Sequence, residues 1–471
     1  MLANYLVEFE LPVRSGVSYK CAYSVYVYDS DASWTYHVKE PYLEPRIRRA
    51  VSTAVETLTT WLAPSPIIDL DPIGYLVAEM ERAGLLASLT REEMSGATYF
   101  LARDILGYGP LDPLIRDPEI EDISCDGADR PAKVWHRRFN STGWLETNVT
   151  FADEGRMDAI VSRLVHRSGR SISNYFPIVD SVLPEGYRLA ATWGKEVTSR
   201  GSSFTIRKQR AEPFSVTDLV KSGSLSPEVA AYLWMLLDLK GFVVISGANA
   251  SGKTTTLNAL ATLLNPAWKI VSIEDTREIS LPHTGWKPLH TRGGVGGGIS
   301  LFDLVKLSLR ERPDFVILGE ARGSEVQALF QSAASGSGCI TTFHSPNVDS
   351  MVARLTQPPL SVSTSVLELI DALVFMVKSP ESATRRVERV IETGDPSPVY
   401  EAASGGWRGT WEGSRRIEAR AAGLGQSARK VESELKRRVD FIGEMVGKGT
   451  SDYRQVSKAL RQFYLSSSLT L

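Results

Sequence analysis

The stretch ISGANASGKTTTLNAL at 245–260 leaves this chain few ways to fold. It carries G-x-x-x-x-G-K-[ST] through Gly247, Gly252, Lys253 and Thr254, directly after a β-branched run and directly before helical text. In that setting the glycines let backbone N–H groups turn inward on a phosphate chain, and the helix N-terminus adds a favourable dipole. Lys253 reaches the β and γ oxygens, and Thr254 ligates Mg²⁺. The candidate nucleotide-binding set is Gly247, Ala248, Asn249, Ala250, Ser251, Gly252, Lys253, Thr254 and Thr255. A chance glycine turn is the alternative, and the flanking strand and helix argue against it. The motif alone does not separate ATPases from GTPases or kinases.

Short β-branched runs follow the same pattern on either side: FVVISG (242–247), KIVSIED (269–275), FVILGE (315–320) and CITTFH (339–344), separated by helical text. Such alternation predicts an α/β fold with a parallel sheet covered by helices. Three of these runs end in groups that serve phosphate chemistry: Glu274-Asp275, Glu320 and His344. In-line attack on a γ-phosphate needs a carboxylate that orients or deprotonates water, and oxygen ligands for Mg²⁺ and its waters. Glu274 is the candidate for the water, Glu320 with Thr254 for the metal, and His344 for sensing the γ-phosphate. The plain alternatives are helix caps and ion pairs for the acids, and a core or surface role for the histidine.

At 471 residues the chain is long enough for about three domains. We expect an N-terminal module of unknown role over 1–95, an α+β domain over 96–210, the nucleotide domain over 211–400 and a helical C-terminal segment over 401–471. The main boundary near 210 rests on the proline- and serine-rich AEPFSVTDLVKSGSLSPE at 211–228. In the last segment Val431, Leu435, Val439, Ile442 and Val446 share one helical face, and Tyr453, Val456, Leu460 and Phe463 another, which predicts a helical hairpin on its own core. The basic clusters RR at 415–416 and KRR at 436–438 read as solvated helix surface, and a net charge of −2 gives no bias toward nucleic acid, so no direct nucleic-acid partner is expected. Three cysteines without a CxxC pair suit reduced thiols in a cytoplasmic protein and no structural zinc. The N-terminus, with Glu8 and Glu10, lacks a signal-peptide pattern, and AAYLWMLLDL at 230–239 is too short to cross a bilayer. Membrane association is expected to be peripheral.

The boxes together resemble the secretion ATPase superfamily, the hexameric motors of type II secretion, type IV pili and the archaellum. The phosphate loop at 247–254, IEDTREISLP at 273–282, LFDLVKLSLRERPDFVILGEARGSE at 301–325 and SGSGCITTFHS at 335–345 lie in the family's order. Glycine before Glu320 is similar to the family form. Upstream, DILGYGPLDPLIRDPEIEDISCDG (104–127) and LPEGYRLAATWGKEVTSRGSSFTIRK (183–208) resemble the family's PAS-like α+β domain, which implies that Arg188 and Arg207 reach toward nucleotide in the assembled ring. KRRVDFIGEMVGKGTSDYRQVSKALRQFY resembles the C-terminus of the archaeal branch, and this chain lacks the tetracysteine cluster that the bacterial type II assembly and pilus-extension ATPases usually carry. The resemblance implies a RecA-like core, ATP and Mg²⁺ as cofactors, a homo-hexamer, and a polytopic membrane platform protein as partner at the inner face of the cell membrane.

There is one departure: Ser335-Gly336-Ser337-Gly338 stands where the family has a Gly-His pair. Serine cannot carry a proton near pH 7, so a slower turnover is expected. The glycine-rich run at 293–298 matches a variable loop and is expected to be mobile. The reading is a Mg²⁺-dependent ATP hydrolase driving assembly of a type IV pilus-like filament or type II-like secretion. Two alternatives stand beside it: a P-loop kinase for a small molecule, and a nucleotide-regulated scaffold with little hydrolysis, toward which Ser337 points.

Overall fold

A computed structural model describes residues 3–466 except 15, 17, 31–32, 62–70, 83, 85–88, 209–212, 292–297, 359, 380–383, 396, 404–405, 413 and 424. The glycine-rich run at 293–298 therefore lies outside the described residues apart from its last glycine. The chain forms two compact units, Met1–Arg210 and Ala211–Leu471.

The first unit is built on β1 (Ala3–Pro12), β2 (Ser18–Ser30), β3 (Ser33–Lys39), β4 (Ile120–Cys125), β5 (Pro131–His136), β6 (Trp144–Thr150), β7 (Ile178–Val182), β8 (Arg188–Thr192) and β9 (Ser203–Arg207). They form one sheet in the order β1-β2-β3-β6-β5-β4-β9-β8-β7. This differs from the expectation for 1–95, which was a separate module. Cys21, Tyr23, Val25 and Val27 alternate inward along β2 into the same core as Ile123, Val134 and Leu145. An edge with such a face needs a neighbour, and β3 finds one in β6, running parallel to it with Thr35 opposite Glu146. The seam is closed by side chains. The Asn148 amide gives and takes a hydrogen bond with the backbone of Val38 (2.9 and 2.8 Å). The buried Asp117 carboxylate accepts from both Tyr5 and Tyr36 hydroxyls (2.6 Å each).

The second unit contains β10 (Phe242–Gly247), β11 (Ile270–Glu274), β12 (Trp286–His290), β13 (Phe315–Leu318), β14 (Gly338–Phe343), β15 (Ala372–Lys378), β16 (Arg385–Glu392), β17 (Pro398–Ala403) and β18 (Gly406–Gly409). Their order is β12-β11-β13-β14-β10-β15-β16-β17-β18. From β12 to β15 every pair is parallel, as the alternating text predicted. β10, β13 and β14 are buried along their whole length, because helices cover both faces. An antiparallel meander, β15 to β18, then extends the sheet to Gly409, so the segment from 401 begins as strand and not as helix.

Helix Pro227–Asp238 is apolar all round and buried from Val229 onward. The C-terminal helices Ala428–Gly447 and Tyr453–Leu465 share its core through Val431, Leu435, Ile442, Val456, Leu460 and Phe463. They pack on the nucleotide unit and do not form a core of their own. Arg438, read from sequence as solvated, is 1% exposed. Its guanidinium lies 2.7 Å from Asp238 and 3.1 Å from Glu434, and Tyr464 donates to Asp238 at 2.7 Å. Burial costs a charge dearly unless it is paired, and Asp238 ends the buried helix facing that face. Among the described residues no helix is long and apolar enough to cross a membrane.

Candidate nucleotide site

Parallel strands deliver their following loops to one sheet edge, where ligands of α/β folds bind. At that edge β10 runs into the phosphate loop, and helix Lys253–Ala261 leaves it. Gly247 is glycine for lack of room: a Cβ there would sit 2.6 Å from the Met376 carbonyl oxygen and 2.8 Å from Ser251 Oγ. Ala250 and Gly252 have φ of +57° and +95°, and such left-handed residues turn successive N–H groups into one concavity. Lys253 donates through Nζ to the carbonyls of Gly247 (3.1 Å) and Ala248 (2.8 Å), across the mouth of the loop. Burial holds its ammonium below the ordinary lysine range, and Glu320 pulls in the opposite direction. Thr254 and Thr255 sit half-buried in the first helical turn.

Glu320 follows β13, one strand removed from β10 with β14 between them. Its carboxylate is half-exposed, and burial raises its affinity for a proton. Arg322 at 2.5 Å, with Lys253 and His344, outweighs burial and holds Glu320 below the usual carboxylate range. The strand-end carboxylate is thus within electrostatic reach of the phosphate-loop lysine on one side and of the histidine on the other. His344 directly follows β14, with its Nδ1 buried and without a hydrogen-bond partner among the described residues.

The glycine before Glu320 has a physical cause. A Cβ at 319 would lie 3.1 Å from Cγ of Glu274 on the adjacent β11. Glu274 itself is 3% exposed, and its Oε1 accepts the backbone N–H groups of Glu278 and Ile279, both at 2.9 Å. Burial pushes the carboxyl up to about 7, against those two N–H groups. The group expected to face water therefore folds back the acidic turn, and Asp275 and Glu278 are the exposed carboxylates of that turn. Glu278 was missed by sequence reasoning; its one signal is a second acid four residues beyond Glu274 in the same box.

Ser337 lies elsewhere. It precedes β14, and its hydroxyl donates to the Pro313 carbonyl at 3.0 Å, before β13 begins. The phosphate loop follows the other end of the sheet, where Ser246 pairs with Phe343. Six residues of strand at roughly 3.3 Å each separate the two ends by about 20 Å. The serine thus stands at the opposite end of the strand from the phosphate loop, which takes away the basis for expecting a slower turnover. Arg188 and Arg207 belong to the first unit, directly opposite each other on β8 and β9 and both exposed; Arg188 pairs with Asp180 at 2.8 Å.

Residues 105–382 match the family model described as type II/IV secretion system protein. The chain belongs to that family. A relative from Methanocaldococcus jannaschii, MJ0900, is 35% identical over 397 residues, covering 80% of this chain and 71% of its own. The type IV secretion system protein PtlH homolog of Bordetella bronchiseptica is 26% identical, over 59% of this chain and 93% of its own. Among solved structures, the ATPase DotB of Legionella pneumophila is 16% identical with a TM-score of 0.44, covering 74% of this chain and 93% of that one. The matched span of this secretion-family chain runs from the second half of the first unit through the phosphate loop, β11, β13 and β14 to just past β15.

Proposed function

We propose that this chain is a Mg²⁺-dependent ATP hydrolase that works as a homo-hexameric motor. The work it drives is assembly of a type IV pilus-like filament or type II-like protein secretion. The observation that carries this reading is the placement, at one end of the parallel strands β10, β14 and β13, of the phosphate loop with Lys253 across its mouth, His344 and Glu320, whose carboxylate feels both cations. The Thr254 hydroxyl and the ionised Glu320 are hard oxygen donors at that edge. They suit Mg²⁺, which takes the rest of its shell from phosphates and water. The ion would supply neutralisation of charge on the transferring phosphoryl group. Glu278 presents the water-orienting carboxylate, and Glu274 beneath it holds the turn through two backbone N–H groups. Arg188 and Arg207 act in the assembled ring on a nucleotide held by another subunit. The partner is a polytopic membrane platform protein at the cytoplasmic face, and association with the membrane runs through it. The scaffold alternative drew on Ser337, whose place at the far end of β14 removes that support.

The test is phosphate release per subunit across protein concentrations. Specific activity rises with concentration, and Glu320→Gln and Glu278→Gln each lose about 10²-fold or more in rate while retaining ATP binding. Glu274→Gln loses far less, because an amide oxygen still accepts both N–H groups. A concentration-independent rate refutes the ring, ATP binding without hydrolysis favours the scaffold, and a dead Glu274→Gln returns the water to Glu274.

A further inference from the structure

The loop after β13 is held from three directions. Gly319 N–H donates to Ile273 O of β11 (2.9 Å), the Thr342 hydroxyl of β14 donates to Gly319 O (2.7 Å), and Ala321 N–H donates to Thr342 O (2.9 Å). On the far side the buried Glu325 takes the N–H groups of Arg322 and Gly323 on one oxygen, both at 2.6 Å. With the backbone so fixed, the direction of the Arg322 side chain is the remaining choice. It turns back toward the site: Nη2 lies 2.5 Å from Glu320 Oε2, and Nη1 lies 3.9 Å from Asp275 Oδ2. Glu278 adds its attraction to the same guanidinium. One cation thus stands among three carboxylates drawn from the ends of two different strands.

An ion pair whose arginine side chain is 62% exposed adds little to stability. A rigid fork of donors shared between carboxylates instead sets their orientation. We propose that Arg322 is a positioning residue for hydrolysis, holding Glu320 in register with the acidic turn at 275–278 so that both face the same phosphate. This rests on the reading of the site as an ATPase.

The experiment compares wild type with Arg322→Ala, Arg322→Lys and Arg322→Gln in the full chain. It reads kcat and KM, the affinity for a fluorescent ATP analogue, and the melting temperature. Arg322→Ala lowers kcat by about 10- to 100-fold, as loss of supporting contacts does. Its nucleotide affinity stays within about twofold, because the guanidinium is engaged by Glu320 and Asp275, and its melting temperature stays put, because the contact is exposed. Arg322→Lys recovers only a part of kcat, because it keeps the charge and loses the fork, and Arg322→Gln recovers none. Should Arg322→Ala melt early, Arg322→Gln carries the comparison. A kcat within about twofold of wild type in Arg322→Ala overturns the proposal, since a lost positioning contact is visible on that scale. So does a fall in nucleotide affinity that accounts for the whole fall in kcat/KM, or a lysine variant no better than glutamine. Wild type that binds the analogue without hydrolysing ATP overturns the ATPase reading and this proposal together; active wild type with an indifferent Arg322→Ala overturns this proposal alone.

Discussion

Gly319 and Glu274 form one arrangement seen from two strands. The missing side chain at 319 leaves room for a carboxyl that is itself pinned by two backbone N–H groups, so neither partner can yield cheaply. An aspartate at 319 would have to displace that carboxyl or shift β13. Gly319→Asp is expected to destabilise the second unit by about 1–3 kcal/mol, the usual range for overpacking. A urea midpoint shift at unchanged slope would show it, and an unmoved midpoint would mean that Glu274 swings away freely. The residue types of this site were legible in the chain. What they face was not, because which acid is buried and which is exposed depends on how a turn folds back over its own strand.

Elements show the same division. The helical period of Ala428–Gly447 is visible in sequence, and its apolar face is where the period puts it. The charge on that face is not visible: Arg438 follows two other cations in the text, yet it alone of the three is buried, against Asp238, Glu434 and the ring of Trp234 at 4.4 Å. Removing one partner of a buried pair leaves the other unpaired. Arg438→Ala is therefore expected to cost about 3–5 kcal/mol, read by chemical denaturation. A loss near zero would mean that water fills the space and solvates Asp238. Ser337 teaches the converse, since the resemblance gave its residue type a bearing on turnover, and an extended strand carried it to the end of the sheet opposite the phosphate loop.

At the scale of the molecule each unit holds a buried group that ties its stability to pH, and the two act with opposite sign. In the second, Glu274 is pushed up to about 7 in the folded state, so its contribution is full below its ordinary carboxyl range and is lost as pH rises through about 7. In the first, burial brings Lys208 down to about 7, with Asp117 opposing. Its contribution is full above the ordinary lysine range and is lost as pH falls through about 7. From pH 7 upward the Lys208 group therefore stabilises the first unit by up to about 1.4 kcal/mol per pH unit. Calorimetry from pH 7 to 9 should show that unit's melting temperature rising less in Lys208→Met than in wild type. Equal slopes in the two would mean that Lys208 stays charged on its carbonyl partners, Leu114 and Asp117.

What the sequence determined by itself was local: a phosphate loop between strand and helix, a run of parallel strands, helices with one apolar face, and the residue types of a secretion-family site. Each rests on periods of two or 3.6 residues, or on fixed spacing within one turn, which a chain carries in its own text. The tertiary structure decided the rest. It joined residues 1–95 to the sheet of the first unit through β3 and β6, ran the sheet of the second on to Gly409, buried Arg438 and Glu274, and set Arg322 among three carboxylates. These outcomes depend on partners tens to hundreds of residues apart, and the free energy of burial and pairing that selects them exists only once the chain has closed.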